Sequence, residues 1–205
     1  RSCLMSALRQ LLDRIGKPFH PGGRLERFFP LYEAADTFFY APAKVTTTGA
    51  HVRDAMDLKR MMILVCIAAL PCVFMAIWNT GYQANPVITA MGLSGPDGWR
   101  GEIMALVGCD PKSLLSNCLH GSLYFLPIYI VTMVVGSIWE GLFNMLRGHE
   151  FSEAFLVTGL LFSLTLPPTI PLWQVAIGIS FGLVFAKEVF GGVGRNFMNP
   201  ALASR

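Results

Sequence analysis

An all-α, polytopic membrane fold is what this sequence predicts, and three observations carry the prediction. The chain is 53% hydrophobic but only 14% charged, well below the roughly 25% charged residues usual in soluble domains. Its mean hydropathy is +0.51, more apolar surface than one core of 205 residues can hide, so lipid must cover part of it. The apolar residues also fall in long runs, separated by short polar connections, rather than in the alternation of strands. About four transmembrane helices and an N-terminal arm on the cytoplasmic side are expected.

The arm is residues 1–58. Leu4, Leu8, Leu11, Leu12 and Ile15 recur at helical spacing, as do Phe28, Phe29, Leu31, Tyr32, Ala35, Phe38 and Phe39, with Pro18-Phe-His-Pro-Gly-Gly23 between them. This is the pattern of short amphipathic helices lying on a membrane surface; a docking face for a partner or an amphiphilic ligand fits the same pattern. No continuous apolar run occurs before Met61, so no cleavable signal peptide is expected. The chain begins with Arg1 and stops in the first turn of a helix, so it is expected to be a portion of a longer protein.

The transmembrane region is residues 59–190. A span needs about 20 mostly apolar residues. Met61–Trp78 meets that, with Pro71 expected to kink it and Trp78 suited to the interface. The second span is Tyr124–Leu146. A hairpin follows: a third span near 154–166, the turn Pro167-Pro-Thr-Ile-Pro171, and a fourth near 172–189. Gly178 and Gly182 share one face of the fourth span and permit close helix packing.

Orientation follows from the bases at the span ends. Arg53, Lys59 and Arg60 precede the first span, Arg147 and His149 follow the second, and Lys187 and Arg195 follow the fourth. All of these face the cytoplasm together in a four-span chain, leaving residues 79–118 and the proline turn outside. The net charge of +3 is interspersed with acids beside a span, so nucleic acid is not expected as a partner.

Residues 191–205 form a loop and the start of a further helix. Gly191, Gly192 and Gly194 free the backbone, but the third glycine of a dinucleotide fingerprint is missing and the motif follows an apolar helix rather than a strand. Asn199-Pro200 reads as a helix N-cap followed by proline in the first turn. Asn196 and Asn199 offer amide donors and acceptors that match a ring with imide or carbonyl edges; satisfying backbone groups at a helix junction accounts for them equally. Glu140 is the one carboxylate well inside a span, where ionisable groups are costly and usually functional, although a place at the interface near Arg147 also accommodates it. Gly136 lies one turn earlier on the same face and removes bulk where a flat ligand could meet the helix.

The five cysteines form no C-x-x-C pair, and the four histidines no i, i+4 pair. No metal site is expected from this chain. Cys109 and Cys118 share the outer connection, where free thiols and a disulfide are both open. Nothing resembles a nucleophile elbow, so hydrolase chemistry has no support.

Pro21-Gly-Gly23, Leu31-Tyr-Glu-Ala-Ala35, His51-Val-Arg-Asp54, Asp57-Leu-Lys-Arg60, Phe125-Leu-Pro-Ile-Tyr129, Pro167 through Gln174, Ala186 through Gly192 and Gly194 through Leu202 occur in the order found in one family. Together they resemble the B subunit of the sodium-translocating NADH:ubiquinone reductases. The D subunit of Rnf electron-transport complexes resembles the membrane part, and the N-terminal segment less. The resemblance implies a six-subunit respiratory complex of the bacterial inner membrane. Such a complex passes electrons from NADH through flavins to ubiquinone and exports sodium ions.

It also implies a quinone-site element at Gly136, Ser137 and Glu140, with Ser137 standing where a second glycine is frequent. A non-covalent riboflavin site would involve Thr158, Asn196 and Asn199. The family's covalent FMN hangs from a threonine in a Ser-Gly-Ala-Thr type motif; Thr46-Thr-Thr-Gly-Ala50 has a different order, so that threonine is expected beyond residue 205. A solute channel or transporter half is the alternative, motivated by Asn199-Pro-Ala201 and the half-repeat layout.

Overall fold

The structure, a computed structural model, describes Gly16 and residues 58–205 other than 94, 97 and 148–153. Nearly all of the expected N-terminal arm therefore lies outside the described residues. The described residues form helices joined by turns and loops, with no strand among them: α1 (Leu58–Ala90), α2 (Trp99–Val107), α3 (Leu114–Arg147), α4 (Ala154–Thr165), α5 (Leu172–Leu183), a π-helical turn (Val184–Glu188) and α6 (Pro200–Ala203). The chain divides into two compact units, 56–137 with 153–205, and 1–55 with 138–152.

Among the described residues two helices are long and apolar enough to cross a membrane, Met61–Ala90 and Leu114–Arg147. No residue of the most apolar stretch of α1 is fully buried, in keeping with a lipid-facing helix rather than the core helix of a soluble protein. Helix α4, with 12 residues, rises only about 18 Å, short of the roughly 30 Å hydrocarbon core.

Helix α1 runs well past Trp78, where the sequence pattern turns polar. Thr80 and Thr89 return their hydroxyls to the carbonyls of Ala76 and Asn85, and Gln83 pairs with Asn79. Prolines 71 and 86 are carried inside the helix. It ends in a Schellman motif: Gly92 sits at φ 68°, its N–H reaches Thr89, and the Leu93 N–H reaches Ile88.

Helix α3 likewise starts ten residues before the expected Tyr124. The Ser113 hydroxyl accepts from the Ser116 N–H at 3.3 Å as an N-cap. The polar residues that interrupt the hydrophobic pattern here, Ser116, Asn117 and His120, are buried with Asn85 of α1. The two helices cross closely, since a side chain at Gly81 would meet the backbone of Asn117 and one at Gly121 that of Ile77. No disulfide joins Cys109 to Cys118, which lies inside α3.

The hairpin forms as expected, with the Ile170 N–H bonded to the Pro167 carbonyl and Pro171 at the N-cap of α5. Gly178 and Gly182 do seat another segment, and that segment is the end of the chain. A side chain at Gly182 would run into Ser204 and the Pro200 carbonyl, and one at Gly178 into the Ser204 carbonyl. Val175, Ile179, Leu183 and Ala201 join Phe155, Phe162 and Ile128 in one buried cluster.

Candidate functional site

The end of the hairpin, the terminal loop and the start of α1 enclose a cavity of about 420 Å³. Four structural choices made by the sequence build it. At Val184–Glu188 the helix widens by one residue, with the Val189 N–H bonded back to the Val184 carbonyl. Lys187 and Glu188 are both buried in that turn, 3.6 Å apart. The chain then reverses through Gly191, Gly192 and Gly194, whose φ values of 112°, 93° and 86° are accessible mainly to glycine. Asn199 finally starts α6 as N-cap, its Oδ1 accepting from the Ala201 N–H at 3.0 Å.

Thr158, Asn196 and Asn199 all line this cavity, with Lys187 beside them. Thr158 comes from the middle of α4 and donates its hydroxyl to the Ala154 carbonyl at 3.1 Å, which leaves its oxygen lone pairs as acceptors. Asn196 is committed at both ends of its amide: Oδ1 accepts from the Gly194 N–H and Nδ2 donates to the Met198 carbonyl. Asn199 uses only its oxygen for capping. Its Nδ2 has no partner among the described residues. The helix-junction role is thus present for both asparagines, and Asn199 keeps a complete donor group in addition.

The remaining wall is largely apolar, from Met62, Val157, Leu161, Phe197 and Met198. A volume within the roughly 300–1,000 Å³ of small-molecule sites, apolar walls and a few convergent polar groups suit a flat ring with heteroatoms on its edge. Lys187 carries the only cation of this set. The sequence pattern alone gave no sign of it, because a Lys-Glu pair at the end of an apolar run looks like an interface pair.

Gly136 and Ser137 do not line this cavity. Gly136 is buried, and the space its side chain would take is filled by the Phe155 ring with Leu183 next to it; Ser137 is exposed. Further along α3, Glu140 and Asn144 are buried at 2% and 8% exposure, one turn apart. Trp139 and Phe143 pack ring to ring there, and the Arg147 guanidinium lies over Phe143 at 5.3 Å.

Residues 45–205 match the profile of the NQR2, RnfD, RnfE family. The chain is 57% identical over 201 residues to the B subunit of a Na(+)-translocating NADH-quinone reductase of Azotobacter vinelandii, covering 97% of this chain and 50% of that protein. The corresponding protein of Stutzerimonas stutzeri is 55% identical over the same shares. That of Chromohalobacter salexigens is 52% identical, over 97% of this chain and 48% of the relative. The chain thus spans about half the length of the curated relatives it matches.

Proposed function

The chain belongs to the NQR2, RnfD, RnfE family, and from that membership we propose that it acts as the N-terminal portion of a membrane subunit in a sodium-translocating NADH:ubiquinone reductase. In this reading the whole six-subunit complex sits in the bacterial inner membrane, passes electrons from NADH through flavins to ubiquinone, and exports sodium. The identity of 57% over nearly the full chain carries the assignment. The covalent FMN of the complex would be attached to a threonine beyond residue 205.

The terminal cavity is the riboflavin pocket in this proposal. Riboflavin supplies an isoalloxazine ring that accepts and returns electrons singly or in pairs. Asn199 would give its unspent amide N–H to a ring carbonyl, Thr158 would accept from the ring imide, and Asn196 would hold the loop in shape. Met62, Phe197 and Met198 would keep water off the ring faces. The free Asn199 donor beside Thr158 in a cavity of ligand size supports this assignment.

Gly136, Ser137 and Glu140 are the proposed quinone-site element. The support is the resemblance of the sequence and the burial of a carboxylate in a membrane helix. The four-span arrangement with bases on the cytoplasmic side completes the picture; α4 and α5 would cross as a short hairpin aided by their flanking turns. Acid-extractable flavin in the purified full-length complex tests the whole reading. One riboflavin per complex is expected, and its absence would leave a solute channel or a structural scaffold.

A further inference from the structure

At the far end of α1 from the flavin cavity lies a second constellation that nothing in the reading above uses. Met62 and Asn79 are separated by some 26 Å of helix at 1.5 Å per residue, so the two places sit near opposite membrane faces. Asn85, Ser116, Asn117 and His120 are all at least 98% buried there.

Their hydrogen bonds have only one consistent direction. The carbonyls of Pro111 and Gly108 belong to the backbone and can only accept. Asn117 therefore turns its Nδ2 to Pro111, at 3.0 Å, and presents Oδ1 to Asn85. Ser116 gives its hydrogen to Gly108, at 2.6 Å, and presents a lone pair to Asn85. Asn85 answers with its Nδ2, 2.7 Å from Asn117 Oδ1 and 3.3 Å from Ser116 Oγ. Its own oxygen is then what meets His120 Nδ1, at 2.8 Å. Nδ1 must carry the hydrogen, so in the neutral ring Nε2 is a bare acceptor.

That acceptor has no partner among the described residues, and the ring forms part of the wall of a cavity of about 560 Å³. The lining mixes polar and apolar groups without a charged side chain: Asn79, Gln83, Val87 and Ile88 of α1, with Tyr124 of α3. Arg100 lies over the Tyr124 ring at 4.4 Å and repels cations, while a bare lone pair repels anions. A neutral donor remains. The apolar side continues onto the exposed face of α1, where Val87 and Met91 are 51% and 68% exposed, so the molecule that fits has an apolar tail.

We propose that this cavity binds the head of a neutral, hydroxyl-bearing amphiphile, its O–H donating to His120 Nε2 and its tail lying along Val87 and Ile88. A glycerol-headed lipid and a phenol-headed molecule share this chemistry. The inference is independent of the flavin assignment.

Native mass spectrometry of the full-length complex tests it, in an amine-oxide detergent that has no hydroxyl. Monoolein is compared with methyl oleate, and 4-dodecylphenol with 4-dodecylanisole, so that each pair differs in the head-group donor. At least one hydroxyl probe should be retained at a concentration about five- to tenfold lower than its partner, the effect of one buried hydrogen bond; the pair that shows it identifies the head group. His120→Phe should abolish the preference. Ala84→Leu, which fills the cavity wall and leaves the amide chain intact, should weaken retention equally. Equal retention within both pairs, or unchanged retention in Ala84→Leu, would overturn the proposal.

Discussion

Lys187 and Glu188 are neighbours in sequence, and their charged ends lie 3.6 Å apart with side chains only 5% and 4% exposed. Removing one partner of a buried ion pair takes compensation from the other charge, at up to about 3–5 kcal/mol, whereas replacing both with apolar residues is often close to neutral. Lys187→Met and Glu188→Leu should each lower the thermal midpoint of the assembled full-length complex. The double replacement should recover most of the loss. Additive losses in the double variant would show that the two side chains do not act as a pair.

The seat of α6 makes a second prediction about stability. A methyl group at Gly182 would overlap Ser204 and the Pro200 carbonyl, one of them backbone that cannot step aside. Overpacking of this kind costs about 1–3 kcal/mol. Gly182→Ala should lower the thermal midpoint and speed proteolysis of the terminal segment.

The topology is testable by labelling. With the basic span ends in the cytoplasm, cysteines engineered at Asp97 and Thr169 should react with a membrane-impermeant reagent in intact cells. Cysteines at Gly23 and Gly194 should react only after the membrane is opened. Outside labelling at Gly194 would remove the four-span arrangement.

Glu140 carries the quinone assignment. Its neutral isostere Glu140→Gln should raise the KM for quinone or slow quinone reduction, and leave NADH oxidation by artificial acceptors unchanged. Quinone kinetics equal to wild type in an assembled variant would make Glu140 a structural residue of the helix end.

Much of this organisation was legible in the sequence. The Asn199-Pro200 helix start, the proline turn and the glycine seat at 178 and 182 all appear as read, because caps and turns are local chemistry. The ends of α1 and α3 did not. Hydropathy stops at Trp78 and begins again at Tyr124, yet both helices continue through Asn85 and His120 because those side chains satisfy one another in the crossing. A one-dimensional pattern cannot register that pairing. The π-helical turn that buries Lys187 escaped for the same reason, since its width is set by tertiary packing.

Asn199 offers the most direct test of the central claim, because its two possible roles use opposite ends of one amide. The oxygen caps α6 at 3.0 Å from the Ala201 N–H, and the nitrogen is the proposed flavin donor. Asn199→Asp preserves the capping oxygen and removes the donor. The measurement is acid-extractable riboflavin per assembled full-length complex, with covalently bound flavin as internal standard. A lost hydrogen bond to a buried polar edge is worth about 1–3 kcal/mol, so retention should fall by one to two decades while covalent flavin stays constant. Full riboflavin content in Asn199→Asp would contradict the account and leave Asn199 as a helix cap alone.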